Sequence, residues 1–361
     1  MTYEQLTDIR IEQPDETIRA CARSRWDHIA KPIDGMGEFE KLICRIAAVQ
    51  GREVPQIDQK ALIIMCADNG IVEEGVTQTG WEVTRDVATL MGQRKSSVGI
   101  LTSGFPCEIF VYDVGIRADE TPEGVIDKKI CKGTANFLKQ PAMTQQQCLE
   151  AIQTGIDAVS HCSKQEIGII ATGEMGIGNT TTSTAVLCAL TGSEAKTYTG
   201  KGSGLTDEGL QRKIRVIDEG LKRYGFLPDM HITAKEAFAA LQNLGGLDIA
   251  ALTGVFIGGG IYHIPVVIDG LISGVAALVA KMLVPDCAFF MIPSHMGREK
   301  GMARIMEELS LKPVIHGDLA LGEGSGAVML FPLLDMAMHL YRQGTTFSSA
   351  DIDAYERMEK R

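Results

Sequence analysis

Two acidic residues, Glu174 and Glu323, stand in short glycine-rich loops, GEMGIGNTTT over 173–182 and LGEGSGA over 321–327. Glycine lets a backbone approach a ligand closely, so such loops are places to put a reacting group. Glu323 has a glycine on each side and a long apolar run beyond it. A carboxylate at that junction is poised to take a proton, because apolar surroundings penalise its charged form. The residues alone leave a second reading open, in which Glu323 merely interacts with a helix N-terminus. Glu174 carries the same ambiguity.

In GEMGIGNTTT a strand ends, three glycines follow, and Asn179 or Thr180 can cap the next helix. Exposed amides and the helix dipole together make a phosphate cradle. The spacing matches neither the dinucleotide fingerprint nor the P-loop. An ordinary strand-to-helix turn is the plain alternative; three threonines and an acid in one turn favour a ribose-phosphate site. A second loop, TGKGSGL over 199–205, has Thr206 as the expected N-cap of another helix. Lys201 within it, or Lys213 two turns later, could neutralise a phosphate. A lone lysine on an exposed helix is more often a solvated charge, so spacing does not assign Lys213. The segment ADNGIVEEGVTQTGWEVT (67–84) offers acids, Thr77, Gln78 and Trp81, suited either to a flat aromatic ligand or to a solvated loop. The seven histidines show no metal spacing, and His295 reads as structural or supporting. Nine cysteines are scattered without a CxxC pair, as reduced core thiols in a reducing compartment would be.

Short β-branched runs alternating with helical-period stretches must position these loops. That is the signature of an α/β fold, a parallel sheet with helices on its faces. The pattern predicts strands at 61–67, 108–114, 167–171, 264–268 and 287–292, with a shorter one at 313–315. Helices are expected at 82–101, 144–159, 180–190, 206–224, 248–260, 271–283, 298–309 and 327–341, with Pro332 beginning or kinking the last. The first fifty residues also read as helical. The loops at 67–70, 173–180, 269–270 and 293–295 each follow a strand. In an open α/β sheet ligands sit beyond the carboxyl ends of the strands, so that edge is the expected active site.

Length and composition suit one large domain with a smaller appendage. A net charge of −11 and a pI near 5.2 argue against nucleic-acid or anionic-membrane partners, which select basic faces. The first residues lack the basic and apolar regions of a signal peptide, and the apolar stretch 266–284 is too interrupted to span a membrane. A soluble cytoplasmic enzyme is expected.

The ordered series of motifs resembles the nicotinate-nucleotide–dimethylbenzimidazole phosphoribosyltransferases of cobalamin lower-ligand assembly. It runs over nearly the whole chain: Lys31-Pro32 with Gly35-Met36-Gly37, ADNGIVEEGV, GTANF with PAMT, GEMGIGNTT, TGKGSGL, GGLDIAALTG, PVVIDG and LGEGSGA. The resemblance implies transfer of the 5-phosphoribosyl group from nicotinate mononucleotide to dimethylbenzimidazole, with inversion at the anomeric carbon. It implies no metal or cofactor, and Glu323 as the base that takes the benzimidazole proton. It places Glu174, Gly176, Asn179 and Thr180 at the phosphoribosyl site, with Lys213 on the phosphate and Asp269 and Gly270 near the ribose. Thr77, Met175 and Leu321 would wall the aromatic base; Gln78, Trp81, Gly178, Gly202 and Ser294 complete the substrate-binding set. The implied architecture is a Rossmann-like domain over 31–324 with a small helical domain from 1–30 and 325–361, working as a homodimer. One departure is Trp81, where many relatives carry glutamine, which leaves the preferred base open among benzimidazoles, purines and phenols. A catalytically inert nucleotide- or cobalamin-precursor-binding module is the alternative from another class. A phosphoribosyl-pyrophosphate donor is disfavoured, since its signature of paired acids before a Thr-Gly loop is missing.

Overall fold

A computed structural model describes residues 1–202, 204–228 and 230–357. Residues 358–361, the last of the expected small helical domain, lie outside the described residues. Six strands form one sheet: β1 (Lys60–Ala67), β2 (Glu108–Gly115), β3 (Ile126–Asp127), β4 (Ile169–Met175), β5 (Val266–Ile268) and β6 (Met291–Pro293). All pairs are parallel, in the order β3-β2-β1-β4-β5-β6.

β1 lies at the centre, with Leu62 opposite Ile109 on one side and Ala171 on the other. All eight of its residues are buried, which is why KALIIMCA reads as a continuous apolar run rather than an alternation. Its side chains still divide by parity. Ala61, Ile63, Met65 and Ala67 enter one core layer with helices Gln145–Lys164, Asn179–Thr191, Leu247–Ile261 and Leu271–Leu283. Leu62, Ile64 and Cys66 enter the other, beneath helices Glu38–Gln50 and Ser325–Gln343. Helix Glu16–His28 closes this second layer; its Trp26 is buried against Tyr341, ring centroids 5.0 Å apart. Among the described residues no helix is long and apolar enough to cross a membrane.

Several expected elements differ in detail. Residues Pro285–Phe290 form a 3₁₀ helix, and only Met291 and Ile292 of the expected strand are extended, in β6. Pro285 explains this, since its fixed φ suits a first helical turn. The expected strand at 313–315 reduces to a single bridge between Ile315 and His295. The helix expected over 82–101 is two, Glu82–Gly92 and Ser97–Leu101. Arg94 takes a left-handed φ of 56° at the break, and Ser96 caps the second helix through the Gly99 amide at 3.3 Å. Pro332 lies inside helix Ser325–Gln343 instead of starting it. Helix Ala234–Leu244 and strand β3 fall outside the expected elements.

Candidate active site

A cavity of about 470 Å³ opens at the carboxyl ends of β1 and β4. Strand order reverses between these two neighbours, so their connecting loops diverge and leave a crevice. Thr77 enters from the loop after β1, Glu174 to Thr180 from the end of β4, Leu271 from beyond β5, and Leu321 and Gly322 from the second glycine loop.

One side of the cavity is built for an anion. Helix Asn179–Thr191 starts there, with Gly178 as its N-cap at φ 95° and no capping side chain. That corrects the expectation of Asn179 or Thr180 as the cap. A Cβ at Gly178 would also press on Val72 at 2.9 Å and Asn69 at 3.2 Å, so this turn requires glycine. Lys213 is only 1% exposed and donates from Nζ to Thr180 Oγ1 at 2.8 Å. Among the described residues no carboxylate pairs with it, and burial pushes its ammonium down to about 8. It is therefore not a solvated helix charge. Gly202 lies close by, its Cβ position 3.4 Å from Thr180 Oγ1 and 3.6 Å from Lys213 Nζ. Lys201 also lines the cavity but pairs with Asp207 at 2.7 Å.

Next to the anion side stand three carboxylates, of which only Glu174 lines this cavity. Burial pushes Glu174 up to about 7, with hydrogen bonds from Asn179 and the Glu323 backbone opposing part of the rise. Asp248 and Asp269 are likewise raised to about 7, first by burial. Asp269 accepts from the amides of Gly324 at 3.2 Å and Ala327 at 3.0 Å, so it pins the second glycine loop and the start of helix Ser325–Gln343. It also lines, with Gly270, Glu174 and His295, a side chamber of about 20 Å³. That is room for a single water.

Glu323 takes a left-handed φ of 62° between Gly322 at 85° and Gly324 at 90°. Side chains rarely adopt that region, and residues held there cluster where geometry serves function. Its Oε2 accepts from the Val98 amide at 3.0 Å, in the first turn of Ser97–Leu101 rather than of its own helix. The side chain lies outside the wall of the 470 Å³ cavity, while the adjacent Gly322 and Leu321 are part of it.

Of the other expected site residues, Thr77, Met175, Gly176, Gly178, Asn179, Thr180, Gly202, Lys213 and Leu321 share the cavity wall. Gln78 reaches across to the Gly204 carbonyl and so links the loops at either rim. Trp81 is exposed at the start of helix Glu82–Gly92, outside the wall. Ser294 is buried, donating to the Ile268 carbonyl at 2.6 Å beside His295. Sequence reasoning missed Asp248, whose position at a helix start reads as a simple dipole partner. It also missed Arg298, Glu299 and Lys300, which line the cavity.

A family model described as "Phosphoribosyltransferase" matches residues 11–352. The nicotinate-nucleotide–dimethylbenzimidazole phosphoribosyltransferase of Ruminiclostridium cellulolyticum is 39% identical over 359 residues, 99% of this chain and 100% of the relative. The chain belongs to the nicotinate-nucleotide–dimethylbenzimidazole phosphoribosyltransferase family. Its relative of that name in Clostridium acetobutylicum is 39% identical, covering 96% of each chain. A crystal structure of the nicotinate-nucleotide–dimethylbenzimidazole phosphoribosyltransferase of Thermus thermophilus superposes with a TM-score of 0.86 at 32% identity, covering 94% of this chain and 99% of that one. The family resemblance read from the motifs is thereby shown, and so is the Rossmann-like parallel sheet.

Proposed function

We propose that the protein transfers the 5-phosphoribosyl group of nicotinate mononucleotide to dimethylbenzimidazole or a related lower-ligand base, giving α-ribazole 5'-phosphate (or the matching α-ribosyl phosphate of that base) and nicotinate. The observation that carries this reading is Lys213, a buried cation with no carboxylate partner among the described residues, beside Thr180 and the start of helix Asn179–Thr191. A buried charge is costly unless a counter-charge arrives, and a phosphate supplies one. The relatives' names supply the two substrates.

In this reading Glu174, Gly176, Gly178 and Asn179 hold the ribose side, with Lys213, Thr180 and Gly202 on the phosphate. Thr77, Met175 and Leu321 flank the flat base, with Gln78, Trp81, Asp269, Gly270 and Ser294 around them. Glu323 is the general base. One oxygen stays anchored on the Val98 amide, and the other takes the N–H proton of the base as its second nitrogen attacks the anomeric carbon. The C–N bond to the pyridinium breaks, and its electron pair neutralises the ring as nicotinate leaves. No acid is needed at that end. A positioned base contributes roughly 10²–10⁴-fold, and alignment of the two reactants supplies more. We also read the protein as a cytoplasmic homodimer; exposed Met329, Leu333 and Met336 on helix Ser325–Gln343 support self-association.

Incubation of the purified protein with nicotinate mononucleotide and a panel of benzimidazoles, purines and phenols tests the reading. Nicotinate release with a product of matching mass is expected. No product with any base would sink it.

A further inference from the structure

Asn179 sits between two carboxylates, the half-buried Glu174 and the buried Asp248. Its Nδ2 donates to Glu174 Oε2 and, at 3.1 Å, to Asp248 Oδ2. An amide nitrogen has two hydrogens, and here both are taken. The reverse orientation would set the amide oxygen against two carboxylates, so the assignment follows from charge. Asn179 is then left with one free polar atom, the acceptor Oδ1, which suits a hydroxyl donor such as a ribose and not a phosphate oxygen.

Asp248 also touches the loops on either side. A Cβ on Gly176 would lie 2.7 Å from Asp248 Oδ2 and would collide with the Ala67 carbonyl. A Cβ on Gly246 would strike both Asp248 Oδ1 and Asn69 Oδ1. Asn69 in turn donates to the Ile177 carbonyl at 3.4 Å. The ends of β1 and β4 and the start of helix Leu247–Ile261 therefore meet on one carboxylate. We infer that Asp248 is a positioning residue for phosphoribosyl transfer, holding Asn179 so that Glu174 and the β4 loop keep their geometry around the ribose. The role rests on the transfer reading above.

Charge supports the same assignment. The charged groups acting most strongly around this pair are acidic: Asp68 on the loop after β1, Asp269 after β5, and Glu299 and Glu323 beyond Glu174; the cations that line the cavity with Glu174, namely Lys201, Lys213, Arg298 and Lys300, make no ion pair with it. Among the described residues no cation is paired with either carboxylate. Among the described residues Asp248 Oδ1 has no hydrogen-bond partner. The Glu174 charge opposes ionisation of Asp248.

Two Asp248 variants, a Glu174→Gln control and two readouts test the inference. In the first, ¹³C-carboxyl NMR follows the Glu174 titration in the parent and in Asp248→Asn, with Glu174→Gln assigning the signal. Removal of the neighbouring charge should lower the Glu174 midpoint by about one pH unit. An unchanged midpoint overturns the coupling, whether or not the protein is a transferase. In the second readout, Asp248→Ala should lose roughly 100-fold in kcat, more than in nucleotide KM, as a misplaced reactant would cause. Asp248→Asn, which keeps an acceptor for Asn179, should recover most of that loss and move the acid limb of kcat/KM to lower pH. Equal losses in both variants with the parent's pH profile would make Asp248 a fold residue only. A parent without transfer activity would refute the transferase reading and leave the NMR result to decide the pairing.

Discussion

The Glu323 carbonyl rests on the α-carbon of Gly173, so close that a Cβ there would come within 2.5 Å of the oxygen. Gly324 repeats the contact one residue on, its Cβ position 2.9 Å from the Thr172 carbonyl. The two glycine loops thus interlock backbone to backbone, which the sequence presents as two separate motifs. Gly173→Ala must push the 322–324 loop off the end of β4. The variant should lose at least roughly 100-fold in kcat while nicotinate mononucleotide still binds, as calorimetry would show. A near-parental kcat would mean that the loop position is immaterial.

Glu323→Gln keeps the shape of the side chain and its bond from Val98 but cannot take a proton. Turnover should drop by roughly 10²–10⁴-fold with nucleotide affinity within a fewfold. Turnover close to the parent's would make Glu323 structural.

Lys213→Met replaces a buried cation by an apolar chain of similar length. Nucleotide affinity should weaken by roughly 10–100-fold, the worth of a charge-assisted hydrogen bond. The parent's affinity should fall as pH rises through about 8, where the folded-state ammonium loses its proton. The variant should lack that dependence. The ligand-free variant should also melt higher than the parent at pH 7, because Lys213 ionises at a stability cost until a phosphate arrives.

Glu174, Asp248 and Asp269 all titrate near 7 in the fold and near 4 when unfolded. Between those values the folded chain holds more protons than the unfolded one, so stability falls as pH rises from about 4 to 7. The ligand-free melting temperature should therefore decline from pH 5 to pH 8. Glu174→Gln should remove part of that decline, on the order of 3 kcal/mol at most. A flat parental profile would show that the cluster is solvated.

The sheet was legible because β1, β2 and β4 are apolar runs with helical stretches between them; the loop that carries Glu323 follows no strand, and Glu174 lies within the end of β4 itself. Helix Ala234–Leu244 went unread, although its Thr233–Glu236 capping box stands in the sequence ahead of buried Phe238 and Leu241. Cys287 to Phe290 looked like a strand because composition carries no sign of the turn that Pro285 imposes. The site divided in the same way. Glycine spacing marked the loops, since only local geometry is involved. Lys213 and Asp248 were opaque, because a lysine or aspartate on a helix has the same local pattern whether it faces water or a cavity. Their burial is decided by elements far away in the chain.

The interlock of Gly173 with Glu323 also sets a timetable. β4 is synthesised long before the loop that settles on it, so the residues of the phosphate side leave the ribosome ahead of Glu323. Transfer needs Glu323 to emerge and dock against Gly173. The enzyme's activity is thereby tied to completion of its fold.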